Sequence, residues 1–368
     1  MTYNWQQKDW PNFQYNLQEI EDLLFAFEKR VGRVSGLLDA LPEEIQTETI
    51  IDMMVSEAIK TSEIEGEYLN RPDVMSSIRN NLGVTPKTSQ TKDKKAEGIA
   101  ELMVDVRNSY AEKLTKEKLF SWHKMVMKGT RRIKAGSWRT HKEPMQVISG
   151  PIGKTKIHFE APPSSRVPKE MAQFIKWFNK THPQGKEPLK HSPIRSAISH
   201  LYFETIHPFE DGNGRIGRAL AEKALSQGVG HPVLLSLSTM IETNRKAYYE
   251  ALKAAQDSNE ITSWIISFVT TILDAHIYAE KQIEFTINKA KFFDRVKGLL
   301  NDRQLRVVQR MWKEGQKGFK GGLSAKNYIS ITGTSKATAT RDLQDLTEKG
   351  VFISSGGGRS TRYEINLE

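Results

Sequence analysis

Apolar side chains recur every three or four residues along most of this chain, and that spacing predicts amphipathic helices. The predicted helices cover about residues 17–41, 43–65, 95–110, 115–128, 168–179, 192–206, 216–224 and 244–285. A different pattern occupies residues 136–163, where two strand-like runs are joined by Pro-Ile-Gly, as is typical of a β-hairpin. The main body is therefore expected to be mainly α, with one small hairpin.

The C-terminal segment follows a different order of elements. Residues 323–331 and 335–348 have helical spacing, and two strand-like runs then flank the turn sequence GGGRS. Helix, turn, helix and hairpin is the order of a winged helix-turn-helix domain. We therefore expect such a domain over residues 289–368. In its second helix, Ala337 should face inward and Arg341 outward.

Positive charge is concentrated in the same segment. The whole chain has a net charge of +10. Residues 289–368 contain 16 Lys and Arg and 8 Asp and Glu, which gives +8. The other 288 residues contain 38 Lys and Arg and 36 Asp and Glu, which gives +2. A basic excess on a predicted winged helix indicates nucleic-acid binding. DNA is therefore expected to bind through residues 323–365, and a protein-docking or dimerisation domain is the alternative.

Composition narrows the class of protein further. The sequence contains no cysteine, which excludes disulfides and thiolate metal sites. No apolar run approaches the roughly 18 to 20 residues that a membrane span requires. The N-terminus lacks the basic-then-apolar layout of a secretory signal. We therefore expect a cytoplasmic protein without a membrane anchor.

The stretch HPFEDGNGRIGR, residues 207–218, lies between two predicted helices. Its two central glycines let a ligand approach the backbone closely, because no Cβ intervenes. The amides of residues 212–214 stand where the next helix begins, and unpaired N–H groups at that end of a helix favour phosphate. Arg215 and Arg218 fall on neighbouring turns of the same helix and can bind phosphate oxygens. The pattern predicts a phosphate-binding loop.

Two further residues of this stretch suit catalysis. Asp211 is a carboxylate among anion binders, which indicates an accompanying cation, and Mg²⁺ bridging phosphate oxygens fits that position. His207 ends a helix that is expected to be buried, so its ring should be held in place, and its usual pKa lies near neutrality. It can therefore accept a proton. Each feature alone is more often structural, but their joint occurrence predicts a phosphate cradle, a metal ligand and a general base.

The same residues carry a resemblance to a known family. HPFEDGNGR is similar at every defined position to HPFx(D/E)GNGR, the signature of the Fic (filamentation induced by cAMP) family. The similarity extends over roughly residues 45–285 and implies a Fic-type helical core with a β-hairpin flap. The expected domains are an N-terminal helical region at 1–95 that carries an inhibitory helix, a Fic catalytic core at 96–285 and the winged helix-turn-helix domain at 289–368.

The resemblance implies protein AMPylation, the transfer of AMP from ATP to a Tyr, Ser or Thr hydroxyl of a target protein. His207 would take the proton from that hydroxyl and Asp211 would hold Mg²⁺. Arg215 and Arg218 would bind the β- and γ-phosphates. The implied nucleotide contacts also include Gly212, Asn213, Gly214, Ile216 and Gly217 in the loop, Ile157, His158, Phe159 and Glu160 in the flap, and Tyr248 and Tyr249 at the nucleobase.

A second stretch, TSEIEGE at residues 61–67, resembles the inhibitory motif of the family, (S/T)xxxE(G/N). Here Thr61, Glu65 and Gly66 supply the defined positions. The resemblance implies that Glu65 pairs with Arg218 and denies it to the γ-phosphate. The physical reason would be that a carboxylate at this point repels the triphosphate and occupies a strong donor.

Several alternatives stay open on the sequence alone. The same glutamate could serve a de-AMPylating enzyme, and the donor could be another nucleotide or a phosphocholine compound. A non-enzymatic alternative is a transcription regulator that senses a nucleotide and binds DNA with its C-terminal domain. A homodimer is also open, since oligomerisation could control the access of Glu65 to Arg218.

Overall fold

The computed structural model describes residues 2–84, 92–130, 133–149, 156–315, 319 and 321–367, in two compact units, Met1–Glu280 and Lys281–Glu368. The helices are α1 Glu21–Asp39, α2 Glu43–Ile64, α3 Arg71–Leu82, α4 Lys94–Asn108, α5 Lys116–Val126, α6 Val167–Lys180, α7 Ser192–Ile206, α8 Asn213–Val229, α9 Leu237–Thr243, α10 Arg245–Ala255, α11 Thr262–Arg295, α12 Asp302–Lys313, α13 Ala325–Thr332 and α14 Lys336–Glu348. The strands are β1 Gln146–Ser149, β2 Lys156–Glu160, β3 Phe352–Ser355 and β4 Arg362–Ile365, and they form the antiparallel pairs β1–β2 and β3–β4. Of the helices described, none is long and apolar enough to cross a membrane. The prediction of a mainly helical protein with a small hairpin is confirmed.

Two of the helical predictions need correction. The single helix predicted over 244–285 is wrong, because α10 and α11 are separated at residues 256–261. In that gap the Gln14 N–H donates to the Asn259 carbonyl at 2.8 Å, and the Ile261 N–H donates to the Gln14 carbonyl at 2.8 Å. The N-terminal segment thus satisfies the backbone groups that the break exposes. The prediction also missed α3, α9 and α12. For α3, a proline in its first turn and Gly83 after its end are typical helix boundaries.

Helix α7 forms the centre of the first unit. Each of its 15 residues is buried, and together with α8 it contributes side chains to two hydrophobic cores, one shared with α2 to α6 and one with α1 and α9 to α11. The polar side chains of such a helix need internal partners. Arg195, for example, donates to the carbonyl oxygens of Phe178 at 2.7 Å and Ala224 at 3.1 Å. The α7–α8 pair therefore holds the short segment between the two helices in place.

The chain before α1 binds the first hairpin to the helical core. Indole Nε1 of Trp5 donates to the carbonyl oxygen of Glu160 in β2 at 2.8 Å. The ring of Tyr3 packs edge-on against Phe159, with 5.0 Å between the ring centroids. On the other side, the backbone N–H of Asn4 donates to the Gln256 carbonyl at 2.8 Å, just after α10. Strand β2 is thereby tied to the α10 end of the core.

The second unit has helices α12 to α14 and the β3–β4 hairpin around a core of its own. The helix–turn–helix–hairpin order expected from the sequence is present in α13, α14, β3 and β4. The prediction that Ala337 faces inward is wrong: Ala337 is exposed, whereas Ala339, Leu343 and Leu346 are buried. Ala339, Leu343 and Leu346 are four and three residues apart and therefore lie on one apolar face of α14, whereas Ala337 lies outside that face. Arg341 is exposed, as predicted.

Candidate active site

The segment between α7 and α8 makes a sharp turn that begins at His207. Its backbone is left-handed, with φ 48°, although residues other than glycine rarely adopt a positive φ. Gly212 is also left-handed, with φ 80°, and α8 begins immediately after it. The Asn213 side chain bridges the turn, because its amide donates to the Phe209 carbonyl and its oxygen accepts from the Phe209 N–H, both at 2.9 Å. The turn therefore carries the chain directly from the imidazole at the end of α7 to the start of α8, where the first N–H groups have no partner within the helix.

Arg139 stabilises this turn through hydrogen bonds, and the sequence analysis did not identify this residue. Its guanidinium Nε donates to the His207 carbonyl at 2.7 Å, and Nη2 donates to the Ile206 carbonyl at 3.3 Å and to the Pro162 carbonyl. Its backbone N–H donates to the Pro208 carbonyl at 2.9 Å. A buried cation at a helix C-terminus satisfies carbonyls that have no partner within the helix. Arg139 therefore connects the end of α7 to the segment that follows the flap.

The imidazole of His207 is held in its neutral form. Its side chain is 17% exposed, and burial, followed by the positive charge of Arg139, lowers the pKa of His207 to about 4. The carboxyl group of Glu204 lies beside it, with 3.7 Å between Oε2 and His207 Nδ1. A neutral imidazole at neutral pH can accept a proton.

The structure brings the predicted inhibitory residues onto Arg218. Its Nε donates to Thr61 Oγ1 at 2.8 Å, and its Nη2 donates to the Thr61 carbonyl at 2.9 Å and to Glu65 Oε1 at 2.7 Å. Burial is the largest single effect and raises the pKa of Glu65, but the charge and hydrogen bond of Arg218 together with the charge of Arg215 outweigh it, so the pKa is lowered. Gly66 ends the motif with a left-handed backbone, φ 78°. Glu65 and Arg218 thus form a charged, largely buried pair.

The Glu65 carboxylate also covers the start of α8. A Cβ atom added to Gly214 would stand 2.2 Å from Glu65 Oε1. Only a glycine leaves room for an anion at this place, and here the anion is part of the same chain. The negative group therefore sits on the loop that the sequence analysis predicted to bind phosphate.

Arg215 has an acidic partner of its own that the sequence analysis missed. Its Nη1 donates to Glu67 Oε2 at 2.6 Å, and the other carboxylate oxygen of Glu67 accepts from Lys95 Nζ at 2.8 Å. Arg215 is almost fully buried, with 3% of its side chain exposed. The side chain of Asp211 is 51% exposed, and its Oδ1 lies 3.8 Å from Arg215 Nη2. The same oxygen accepts a hydrogen bond from the Gly212 N–H at 2.6 Å. The acidic stretch after α2 thus pairs with both arginines of the loop.

The remaining predicted site residues divide into exposed and packed ones. In β2, Ile157 is 49% exposed whereas Phe159 is 2% exposed and packs on the N-terminal segment. Tyr248 is 7% exposed, and its hydroxyl is 2.6 Å from His200 Nε2. Tyr249 is 39% exposed, with the Arg245 guanidinium 5.9 Å from its ring centroid. Ile216 is fully buried in the core. Gly217 packs against Glu204 and His200. His158 lies in β2 between Ile157 and Phe159.

The fold and the site together define a class of protein: a helical domain in which a histidine at a helix end precedes a glycine-bearing helix start, and which includes a small hairpin. Residues 113–225 match the model of the Fic/DOC family. The resemblance of the signature to the Fic family is confirmed for this part of the chain. Residues 3–84 match a second family model, DUF4172, a domain of unknown function.

Curated relatives share part of this region. Protein adenylyltransferase Fic of Drosophila ananassae is 29% identical over 119 residues, which is 32% of this chain and 22% of the relative. Protein adenylyltransferase fic-1 of Caenorhabditis briggsae is 27% identical over 137 residues, 37% of this chain and 23% of the relative. The matched region thus spans less than a quarter of either relative.

Solved structures match over more of the chain. A Fic family protein from Desulfovibrio desulfuricans has a TM-score of 0.56 and 19% sequence identity, with 96% of this chain and 98% of that one covered. A Fic domain containing signaling protein from Bacteroides thetaiotaomicron has a TM-score of 0.53 and 18% identity, with coverage of 72% and 97%. At these identities the likeness supports the Fic fold.

Proposed function

We propose that this protein transfers AMP from ATP to a hydroxyl side chain of a target protein and that its own N-terminal region inhibits the reaction. The proposal depends above all on one observation: a neutral imidazole stands next to helix-start amides and two buried arginines whose present partners are carboxylates. Carboxylates in such places mark where phosphate oxygens would bind. The name protein adenylyltransferase, carried by the Drosophila and Caenorhabditis relatives, supports the same reaction.

The proposed reaction uses the residues of the turn in distinct roles. His207 accepts the proton of the target hydroxyl while the hydroxyl oxygen forms a bond to the α-phosphorus of ATP. The bond from that phosphorus to the β-phosphate oxygen breaks, and pyrophosphate leaves. The amides of residues 212–214 donate to the oxygens on which negative charge grows, a contribution that is usually large in such transfers. Arg215 binds the β-phosphate and Arg218 the γ-phosphate.

Asp211 is the proposed ligand for Mg²⁺. Among the residues that the structure describes, no cluster of three or more His, Cys, Asp or Glu side chains could hold a metal ion by itself. A single half-exposed carboxylate still fits Mg²⁺, which often takes one protein carboxylate and completes its shell with substrate phosphates and water. When bound there, the ion would neutralise phosphate charge.

The flap and the two tyrosines are proposed to bind the rest of the nucleotide and the target. The exposed side chain of Ile157 suits contact with the nucleotide, while the buried Phe159 anchors the strand. The backbone of residues 157–160 is proposed to pair with an extended segment of the target. Tyr249, with its exposed ring, fits a nucleobase better than the buried Tyr248.

Inhibition follows from the two acidic contacts of the loop. Glu65 occupies Arg218, the proposed partner of the γ-phosphate, and its carboxylate also lies over Gly214 at the start of α8. Glu67 occupies Arg215 in the same way. Binding of the triphosphate therefore requires that both arginines exchange a carboxylate of this chain for phosphate oxygens.

Replacing Glu67 with Gln is expected to increase the affinity for Mg²⁺-ADP roughly 3- to 10-fold, because the change frees Arg215 and removes a negative charge beside the β-phosphate. Isothermal titration calorimetry of the full chain measures this directly. Glu63→Gln is the matched control, since Glu63 contacts Lys60 on the same stretch of α2 instead of the loop. Equal ADP affinity in the Glu67 variant and the wild type would contradict a role for this pair.

A second, independent function is proposed for the C-terminal unit, which has an exposed basic face on α14. Lys336 and Arg341 are exposed on that helix, and Ser335 caps its start. A second helix that follows a tight turn and exposes cationic side chains is the form that enters the DNA major groove in winged helix-turn-helix domains.

Changing Lys336 and Arg341 together to Glu is expected to weaken DNA binding and to reduce the slope of log affinity against log salt by about two, since two phosphate contacts are lost. Gel shifts with a genomic fragment library at two salt concentrations test this with the full chain. Lys246→Glu, on an exposed position of α10, is the matched control. If the double variant retains the affinity and salt slope of the wild type, α14 is not a DNA-binding helix.

A further inference from the structure

Glu204 is a buried carboxyl group in the last turn of α7. It is 6% exposed, and every other residue of α7 is buried as well. Space for it comes from Gly217 on α8, where an added Cβ would stand 2.3 Å from Glu204 Oε1 and 3.2 Å from the His200 ring. A carboxyl group is costly to bury, and the reaction scheme above gives it no role.

The position of Glu204 relates it to His207. It lies three residues earlier, on the same face of the helix one turn back, and its Oε2 is 3.7 Å from His207 Nδ1. Among the described residues, His207 Nδ1 and Glu204 Oε1 are both buried without a hydrogen-bond partner. A gap of 3.7 Å is longer than a hydrogen bond, but catalytic hydrogen bonds are often loose before the substrate binds. The unpartnered Nδ1 therefore has the carboxyl group of Glu204 as a nearby acceptor, with Oε2 closest to it and Oε1 also unpartnered.

We propose that Glu204 is the positioning residue of His207: its carboxyl oxygen accepts the proton of Nδ1 and so leaves the lone pair of Nε2 for the target hydroxyl. This inference rests on the proposed transferase function. The hydroxyl proton moves to Nε2, and the hydroxyl oxygen bonds to the α-phosphorus as the bond to pyrophosphate breaks. Glu204 then faces the imidazolium that forms and stabilises its charge.

The charges around the pair agree with this role. Burial, and then the negative charge of Glu65, raise the pKa of Glu204 to about 8, against an opposing effect of Arg218. A neutral carboxyl group still accepts a hydrogen bond at its carbonyl oxygen, and an ionised one accepts more strongly. His200 on α7 and Tyr248 on α10 also face this pocket, and both are held neutral because burial lowers the pKa of His200 and raises that of Tyr248. Of the charged groups near His207, Arg139 disfavours the protonated ring and Glu65 favours it, and the carboxyl oxygen of Glu204 lies 3.7 Å from Nδ1.

The first test reads the tautomer of His207 without any activity measurement. In the full-length chain with ¹⁵N-labelled histidine, the His207 resonance, assigned by its loss in His207→Gln, should show a protonated Nδ1. Glu204→Gln keeps an acceptor oxygen and should retain that tautomer, whereas Glu204→Leu should shift the population towards protonated Nε2. An unchanged tautomer in Glu204→Leu would overturn the proposal, and this result stands even if the protein transfers no AMP.

The second test separates catalysis from binding in the Glu65→Gly background. Glu204→Leu should lower kcat by about 10- to 100-fold and leave the ATP dissociation constant within about twofold, whereas Glu204→Gln should recover most of the loss. Gly217→Ala, which keeps the Glu204 side chain but displaces its carboxyl group because the added Cβ would stand 2.3 Å from Oε1, should also lower kcat and covers the case in which Glu204→Leu does not fold. Normal kcat in a folded Glu204→Leu, or a loss explained entirely by ATP affinity, would refute positioning by Glu204.

Discussion

Glu65→Gly should convert the protein from a weak to a strong ATP binder, with a gain in self-labelling from radioactive ATP and Mg²⁺ of roughly 10- to 100-fold. The reason is that Glu65 holds Arg218 at 2.7 Å and lies over Gly214, so its removal frees a guanidinium and the start of α8 together. Each ~1.4 kcal/mol by which the competition between Glu65 and the phosphate is relieved increases the ATP affinity about tenfold. Arg218 keeps its two hydrogen bonds to Thr61 in the variant, which limits the cost of leaving its charge buried.

Calorimetry and labelling check this expectation in parallel. ATP affinity should rise more than ADP affinity, because the arginine that is released serves the γ-phosphate. Glu63→Gln is again the control, as it changes the charge of α2 without touching the loop. If Glu65→Gly binds ATP no better than the wild type at millimolar concentration, the inhibitory role is refuted. If it also fails to label any protein, the proposed transferase function is refuted too.

His207→Ala in the Glu65→Gly background should abolish transfer, with a loss of about 100- to 10,000-fold in rate, because the general base is removed. ATP affinity should remain within about twofold, since phosphate binding belongs to the loop and its arginines. His231→Ala, an exposed histidine remote in sequence from the turn, is the control. Labelling that persists at a comparable rate without His207 would contradict the assigned mechanism.

The pH profile provides a further check on the same residue. Burial and Arg139 lower the pKa of His207 to about 4, and the reactive form is the neutral one. That form is present above the pKa and is lost as the pH falls through it. The rate should therefore hold from neutral pH down to about pH 5 and decline below that value. A decline centred near the ordinary histidine pKa, about 6.5, would show that the ring is not held as described.

The site residues that the sequence could identify are those whose roles follow from neighbours in the chain. The turn at residues 207–218 was accessible because its histidine, glycines and arginines are close in sequence and the start of the next helix follows them. Residues 61–67 were accessible through their likeness to an inhibitory motif. The helix faces were mostly accessible as well, although Ala337 was assigned to the wrong face by a two-residue shift in the stripe of α14.

Residues that act across the fold gave no comparable signal. Arg139 supports the end of α7 from 68 positions away in sequence, and Glu67 reaches Arg215 over 148 positions. Glu204 lies three residues before His207, but in the sequence it is only one polar residue on a helix, and its burial depends on Gly217 of another helix. The break between α10 and α11 likewise depends on pairing with Gln14.

The sequence by itself determined the helical architecture, the hairpin and the position of the turn proposed to bind phosphate, because helix periodicity, glycine conformation and helix-end chemistry are local properties. Only the tertiary structure decided which acidic group meets which arginine, which histidine is neutral and which carboxyl group is buried beside it. Those outcomes depend on how α2, α7 and α8 pack, and the energy of a buried charge is set by the groups that packing brings within a few ångströms of it.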